Sequence, residues 1–311
     1  MPSWIWMNGV TPTIPTQVID PVSPDDHRPS VLDLIAQHDA NIQQLKLLLQ
    51  KDPLYEPEKH DELFLLRFLL SHKQKVKRAL KAAKDTLVFR KEYHLDERDI
   101  RHLIPHKIQS GEYGEKFPFA KTDNLQHAWK TRSPEDAIVF TIPDPHRGVV
   151  AFLNIGNLKN DSKTCKQLSV DDVASVFMLT SEWAHQWLDY VTRTTGRFTK
   201  SVRLIDFSNF SIFQNSREAT KRDGKIMDMM EDIYPQLLQA LFVYNAPSWI
   251  HSAWAIFRPI MPKRIIEKID IIDPKKNQKE KQKLLAFLSE ENMPESMGGT
   301  NTIRPCDWAA Q

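Results

Sequence analysis

Between residues 137 and 272 β-rich runs and helical patterns alternate, and this alternation constrains the fold more than any single motif. β-rich runs occupy 137–142 (Ala-Ile-Val-Phe-Thr-Ile), 148–155 (Gly-Val-Val-Ala-Phe-Leu-Asn-Ile), 202–207 (Val-Arg-Leu-Ile-Asp-Phe), 240–244 (Ala-Leu-Phe-Val-Tyr) and a stretch near 268–272. Between them the apolar spacing turns helical. Ser169 with Asp172 has the capping-box signature. Val173, Val176, Phe177, Thr180, Ala184, Trp187 and Val191 then recur at helical spacing until Gly196. Further helices are predicted over 216–232, closed by Pro235, and over about 248–261. β-rich runs alternating with helical patterns predict an α/β domain with a mostly parallel sheet and flanking helices.

Upstream the pattern is helical only. Ser30 with Asp33 reads as a helix start, and Ile35, Ile42, Leu45 and Leu49 give that helix an apolar face until Pro53 and Pro57 break it. A second helix is predicted over 61–71. A third, over 73–93, carries Val76, Leu80, Ala83 and Leu87 on one stripe. At about 150 residues per domain, 311 residues suit two domains. The reading is a helical module over 30–110 and an α/β domain over 111–305. Pro2, Pro12, Pro15, Pro21, Pro24 and Pro29 exclude a regular helix over 1–29. That arm is predicted to be loose or loosely docked, with Trp4 and Trp6 favouring partial packing on the body.

Composition removes several functions. Nine glycines are spaced so that neither G-x-G-x-x-G, nor a phosphate loop, nor G-x-S-x-G can be built. His102 and His106 flank Pro105 and read as surface residues, not as a metal pair. Two cysteines, Cys165 and Cys306, exclude a disulfide framework and a four-thiolate zinc site, and fit a reducing compartment. A net charge of +2 is too balanced to indicate nucleic acid. Asp206, at a strand end, reads as a turn residue. No catalytic residue, metal ligand or cofactor is nominated. The longest apolar run, 63–70, is eight residues and contains Arg67, too short to span a bilayer. The expectation is a cytoplasmic monomer with peripheral membrane contact.

Two features point toward membranes. Lys73, Lys75, Lys77, Arg78, Lys81 and Lys84 crowd one helix, and Lys275, Lys276, Lys279, Lys281 and Lys283 a second stretch. Such runs are solvated faces that can also meet anionic lipid at about 1 kcal/mol per residue. Residues 248–261 are apolar nearly all round: Trp249, Ala253, Ile256 and Ile260 form one stripe, and Ile250, Trp254, Phe257 and Met261 another. By composition this is a helix buried in the core. The alternative is a lid between an apolar cavity and a membrane.

The chain resembles the CRAL-TRIO lipid-transfer proteins over about residues 60–300. The resemblance rests on Leu-Leu-Arg-Phe-Leu at 65–69, Phe-Arg-Lys-Glu-Tyr at 89–93, Gly148-Val-Val, Gly156-Asn-Leu and Leu-Ile-Asp-Phe-Ser at 204–208. It continues through Ile-Tyr-Pro-Gln at 233–236, Asn-Ala-Pro at 245–247, Phe-Arg-Pro at 257–259, and Glu-Asn-Met-Pro at 291–294 with Gly298 and Gly299. It implies non-enzymatic binding and transfer or presentation of a lipid held in a hydrophobic pocket, with lipid sensing for a protein partner as the alternative. It turns the apolar helix into a gate of Trp249, Ile250, Ala253, Trp254, Phe257, Ile260 and Met261. The expected lipid-binding set is Phe207, Phe210, Gln236, Phe242, Tyr244, Arg264 and Lys268. Three positions depart from the family pattern. Leu70 stands where a second arginine is common, Gln236 replaces an acid, and the 261–264 loop is shorter. These departures weigh against phosphatidylinositol and for another hydrophobic ligand.

Overall fold

A computed structural model describes residues 13–15, 26–101, 125–132, 137–144, 147–211, 216–250, 266–273, 277–285 and 287–302. Three helices lead: α1 (Val31–Leu49), α2 (Glu62–Ser71) and α3 (Val76–Glu92). Ser30 caps α1 by accepting from the Asp33 N–H at 3.3 Å, and Asp61 caps α2 through the Phe64 N–H at 3.2 Å. Ile42, Leu45 and Leu49 of α1, Leu65 and Leu69 of α2, and Ala83 of α3 close one apolar cluster. Burial on α3 runs through Ala79, Ala82, Ala83, Thr86, Leu87 and Arg90, so the stripe is rotated from Val76 and Leu80, which are only partly buried.

Phe198 also enters this cluster, although it lies far downstream. Residues 26–31 run beside it. Phe198 N–H donates to Pro29 O at 2.9 Å, and Val31 N–H to Gly196 O at 2.9 Å. Arg28 pairs with Asp26 and donates to Thr199 Oγ1 at 2.8 Å. Ile14 packs on the same cluster. The end of the arm is therefore docked, because its backbone donors and its one arginine find partners here. Trp4 and Trp6 lie outside the described residues.

The second body follows: α4 (Leu125–Arg132), β1 (Ile138–Asp144), β2 (Gly148–Asn154), α5 (Ser162–Gln167), α6 (Val170–Thr195), β3 (Ser201–Asp206), α7 (Arg217–Ile233), β4 (Leu238–Tyr244), β5 (Ile269–Ile271) and α8 (Gln278–Leu285). The five strands lie in the order β1-β2-β3-β4-β5. β1 and β2 are antiparallel, and every later pairing is parallel. The antiparallel pair follows from the short 143–147 connection, since a parallel pair needs a crossover. Both halves of the Ser169/Asp172 capping box are made, at 3.0 and 2.8 Å. Gly196 ends α6 with φ 65°, a left-handed residue that glycine adopts without strain.

Side-chain alternation gives the sheet two different faces. Val150, Phe152, Val202, Leu204, Phe242 and Tyr244 point to one face, covered by Leu284, Leu288, Met293 and Met297. The other face looks toward α6 and α7. On its far side α6 packs Trp183, Trp187 and Val191 with Tyr93, Leu95 and Ile100. The chain after α3 thus joins the core of the second body.

Candidate functional site

A cavity of about 270 Å³ lies between the inner face of the sheet and helices α6 and α7. Its sheet wall is Phe140, Leu153, Ile205, Leu241, Val243 and Ile269; its helix wall is Val173, Val176, Phe177 and Met227. At the C-terminal ends of the strands it is bordered by Phe207, Phe210 and Ile250. Gly156 makes this border possible. A Cβ there would stand 2.2 Å from Ser208 O, so only glycine lets the 208–210 turn close against the end of β2. Asp206 braces the same turn, accepting from Ser208 N–H at 2.8 Å and from Asn245 Nδ2 at 3.0 Å. Trp249 stacks on Phe210 with centroids 5.9 Å apart and remains 37% exposed.

The apolar wall is interrupted by two guanidinium groups. Arg132 is fully engaged: it donates to Asp223, to Asn160 Oδ1 at 2.9 Å, and lies over the Phe177 ring at 5.8 Å. Arg203 projects from the middle of β3 and makes no hydrogen bond or ion pair among the described residues. Burial lowers its pKa, and the charge of Glu231 opposes that shift only in part. Glu231 is already paired with Lys268 Nζ at 3.3 Å.

Lys268 and Gln236 sit beyond this wall. Gln236 adopts a left-handed φ of 64° and bridges the two bodies. Its Oε1 accepts from Lys200 Nζ at 3.0 Å, and its Nε2 donates to Ser71 Oγ at 3.1 Å. Burial, with the nearby charges of Lys268 and Arg67, pushes the Lys200 amine down to about 8.

Of the residues expected to bind lipid or form the gate, Phe207, Phe210 and Ile250 border the cavity. Phe242 and Tyr244 require a correction: both face the opposite side of the sheet, against the 284–297 segment. A strand's odd and even residues cannot share a face, and in β4 the cavity-facing ones are Leu241 and Val243. Ala253, Trp254, Phe257, Ile260, Met261 and Arg264 lie outside the described residues. Sequence reasoning passed over Arg203, Arg132 and Asp223. For Arg203 a signal existed, a cation inside the apolar run Val-Arg-Leu-Ile; the Arg132–Asp223 pair joins positions 91 apart and left none.

A mostly parallel sheet with an apolar cavity between one face and two helices defines an α/β protein. The profile of the CRAL/TRIO domain matches residues 135–299, and the chain belongs to that family. It is similar to Patellin-3 of Arabidopsis thaliana, 25% identical over 269 residues, covering 82% of this chain and 46% of the relative. It is similar to the phosphatidylinositol/phosphatidylcholine transfer protein SFH12 of the same plant, 20% identical, covering 79% of this chain and 41% of that protein. The phosphatidylinositol transfer protein SFH5 of Meyerozyma guilliermondii is 24% identical over 163 residues, covering 49% of this chain and 46% of that protein. The chain therefore spans less than half the length of these curated relatives. Among solved structures, the crystal structure of Sfh5 shares the fold, with a TM-score of 0.52 and 13% identity over 89% of this chain and 95% of that one. CRAL-TRIO relatives are lipid-binding and lipid-transfer proteins.

Proposed function

We propose that this chain binds one lipid or lipophilic molecule in the cavity beside β3 and carries or presents it at membranes, as a monomer and without covalent chemistry. The observation that carries this reading is the cavity itself: about 270 Å³ of mainly apolar space where a close-packed core would leave none larger than a water molecule. Each methylene transferred into such a space contributes about 0.8 kcal/mol. An acyl chain is thus held firmly against water and loosely against a bilayer. Trp249, exposed at the cavity border on the ring of Phe210, supplies the membrane-facing edge of the gate. Among the described residues no helix is long and apolar enough to cross a membrane, so contact through this border is peripheral.

The names of the relatives bring phosphatidylinositol and phosphatidylcholine forward as ligands. The committed hydrogen bonds of Gln236 and the Lys268–Glu231 pair weigh against inositol as the preferred head group. Mass spectrometry of the organic extract of the purified protein identifies the resident ligand. Transfer of fluorescent lipid between vesicles then tests mobility. Absence of both co-purified lipid and transfer, across several lipid classes, overturns the reading.

A further inference from the structure

The two guanidiniums of the cavity are not equivalent. Arg132 has a carboxylate, an amide oxygen and a ring; Arg203 makes no hydrogen bond or ion pair among the described residues, and the nearby Glu231 is paired with Lys268. A guanidinium carries five N–H donors in a fixed fork. Left unpaired in an apolar chamber, it costs free energy that water or an anion must offset. The charge count around it is also unbalanced. Arg203 and Lys268 share Glu231, while Arg132 and Arg222 share Asp223, the latter through Arg222 Nε at 3.2 Å. Of these four cations, Arg203 and Arg132 line the cavity itself.

The position of Arg203 adds direction. It is the cavity-lining residue of β3 nearest the N-terminal end of that strand, followed by Ile205 and Phe207. At about 3.3 Å per residue, the path from Arg203 to Phe207 is roughly 13 Å of apolar wall. A small annex beside Arg203, lined also by Ser181, Met227 and Glu231, widens the space at that end. The chamber therefore presents a cationic fork at one end and aromatic rings at the other.

Resting on the reading of this cavity as a lipid site, we propose that its ligand is an amphiphile with an anionic oxygen head group, bound head-inward on Arg203 with its tail directed toward Phe207 and Ile250. A carboxylate and a phosphate monoester both match the fork bidentately, so a fatty acid and an alkyl or lysophospholipid phosphate share this chemistry. Neutral esters of the same chain lack it.

The test uses the full chain, freed of endogenous lipid, and the fluorescent fatty acid cis-parinaric acid beside its methyl ester. The acid is expected to bind at least about tenfold tighter than the ester, a preference that Arg203→Met removes and Arg203→Lys restores in part. Competition by palmitate and by hexadecyl phosphate separates the two head groups. Removing an unpaired charge also predicts that lipid-free Arg203→Met melts at or above the wild-type temperature, which checks that the variant folds. Equal binding of acid and ester by the wild type overturns the head-inward proposal while leaving the lipid site intact. A lipid-free Arg203→Met protein that melts well below wild type overturns the claim that Arg203 is unpartnered. Failure of all four probes to bind overturns both the proposal and the lipid-site reading.

Discussion

Asp61 performs two tasks at once: it caps α2 through the Phe64 N–H, and its carboxylate receives Arg193 Nη1, from the last turn of α6, at 2.6 Å. Arg193 Nε reaches Asp189 Oδ2 at 2.6 Å as well, so one arginine ties the helical module to the second body. Asp61→Asn keeps the cap and removes the charge; Asp61→Ala removes both. Urea unfolding is expected to show a loss of about 1–3 kcal/mol for the first and about 1 kcal/mol more for the second. Equal losses would mean that the cap contributes nothing beyond the ion pair.

Trp249 gives a second prediction. Stacked on Phe210 but only partly buried, it has less to lose than a core residue, and Trp249→Ala is expected to cost about 1–2 kcal/mol. Leu65→Ala, in the closed cluster of the helical module, is expected to cost about 2–5 kcal/mol. Vesicle transfer should respond in the opposite order, falling sharply for Trp249→Ala and little for Leu65→Ala at temperatures where both are folded. A transfer loss that merely follows stability would place Trp249 in the core.

Lys268→Ala tests the inositol question. Because Glu231 already neutralises Lys268, and Gln236 is committed to Lys200 and Ser71, transfer of phosphatidylinositol and of phosphatidylcholine is expected to fall equally and modestly. A loss confined to phosphatidylinositol would assign Lys268 to an inositol head group.

The fourth prediction concerns acid. His185, on α6 beside Tyr234, is held down to about 4, first by burial and then by the charge of Arg90, with Glu182 and Asp189 opposing. Its folded pKa lies below the ordinary value near 6.5. The unfolded chain therefore takes up the proton first, and stability falls as pH drops from about 6.5 toward 4. His185→Phe should make that fall shallower than in the wild type in pH-dependent urea titrations. Parallel curves would show that His185 titrates normally.

Local signals were legible where one residue satisfies a neighbour. The Ser169/Asp172 box and Gly196 bound α6 as their chemistry requires. Strand positions were legible too, since short runs rich in β-branched and aromatic residues mark them. Which face of a strand meets a cavity is not a local property, and so Phe242 and Tyr244 were placed on the wrong side while Leu241 and Val243 were passed over. Asp206 was read correctly as a turn residue, because its partners Ser208 and Asn245 follow strand ends. The docking of residues 26–31 on 196–199 depends on a chain reversal that no local spacing encodes.

That docking has a consequence for synthesis on the ribosome. The helical module is made first, yet its apolar cluster includes Phe198, and Arg67 within it lies over the Phe198 ring at 5.0 Å. At about 5–20 residues per second, the roughly 100 residues between the end of α3 and Phe198 take on the order of 5–20 s to translate. Throughout that interval the nascent helices expose the patch that Phe198 will cover. The emerging chain is thus a substrate for holding chaperones until its own later segment displaces them.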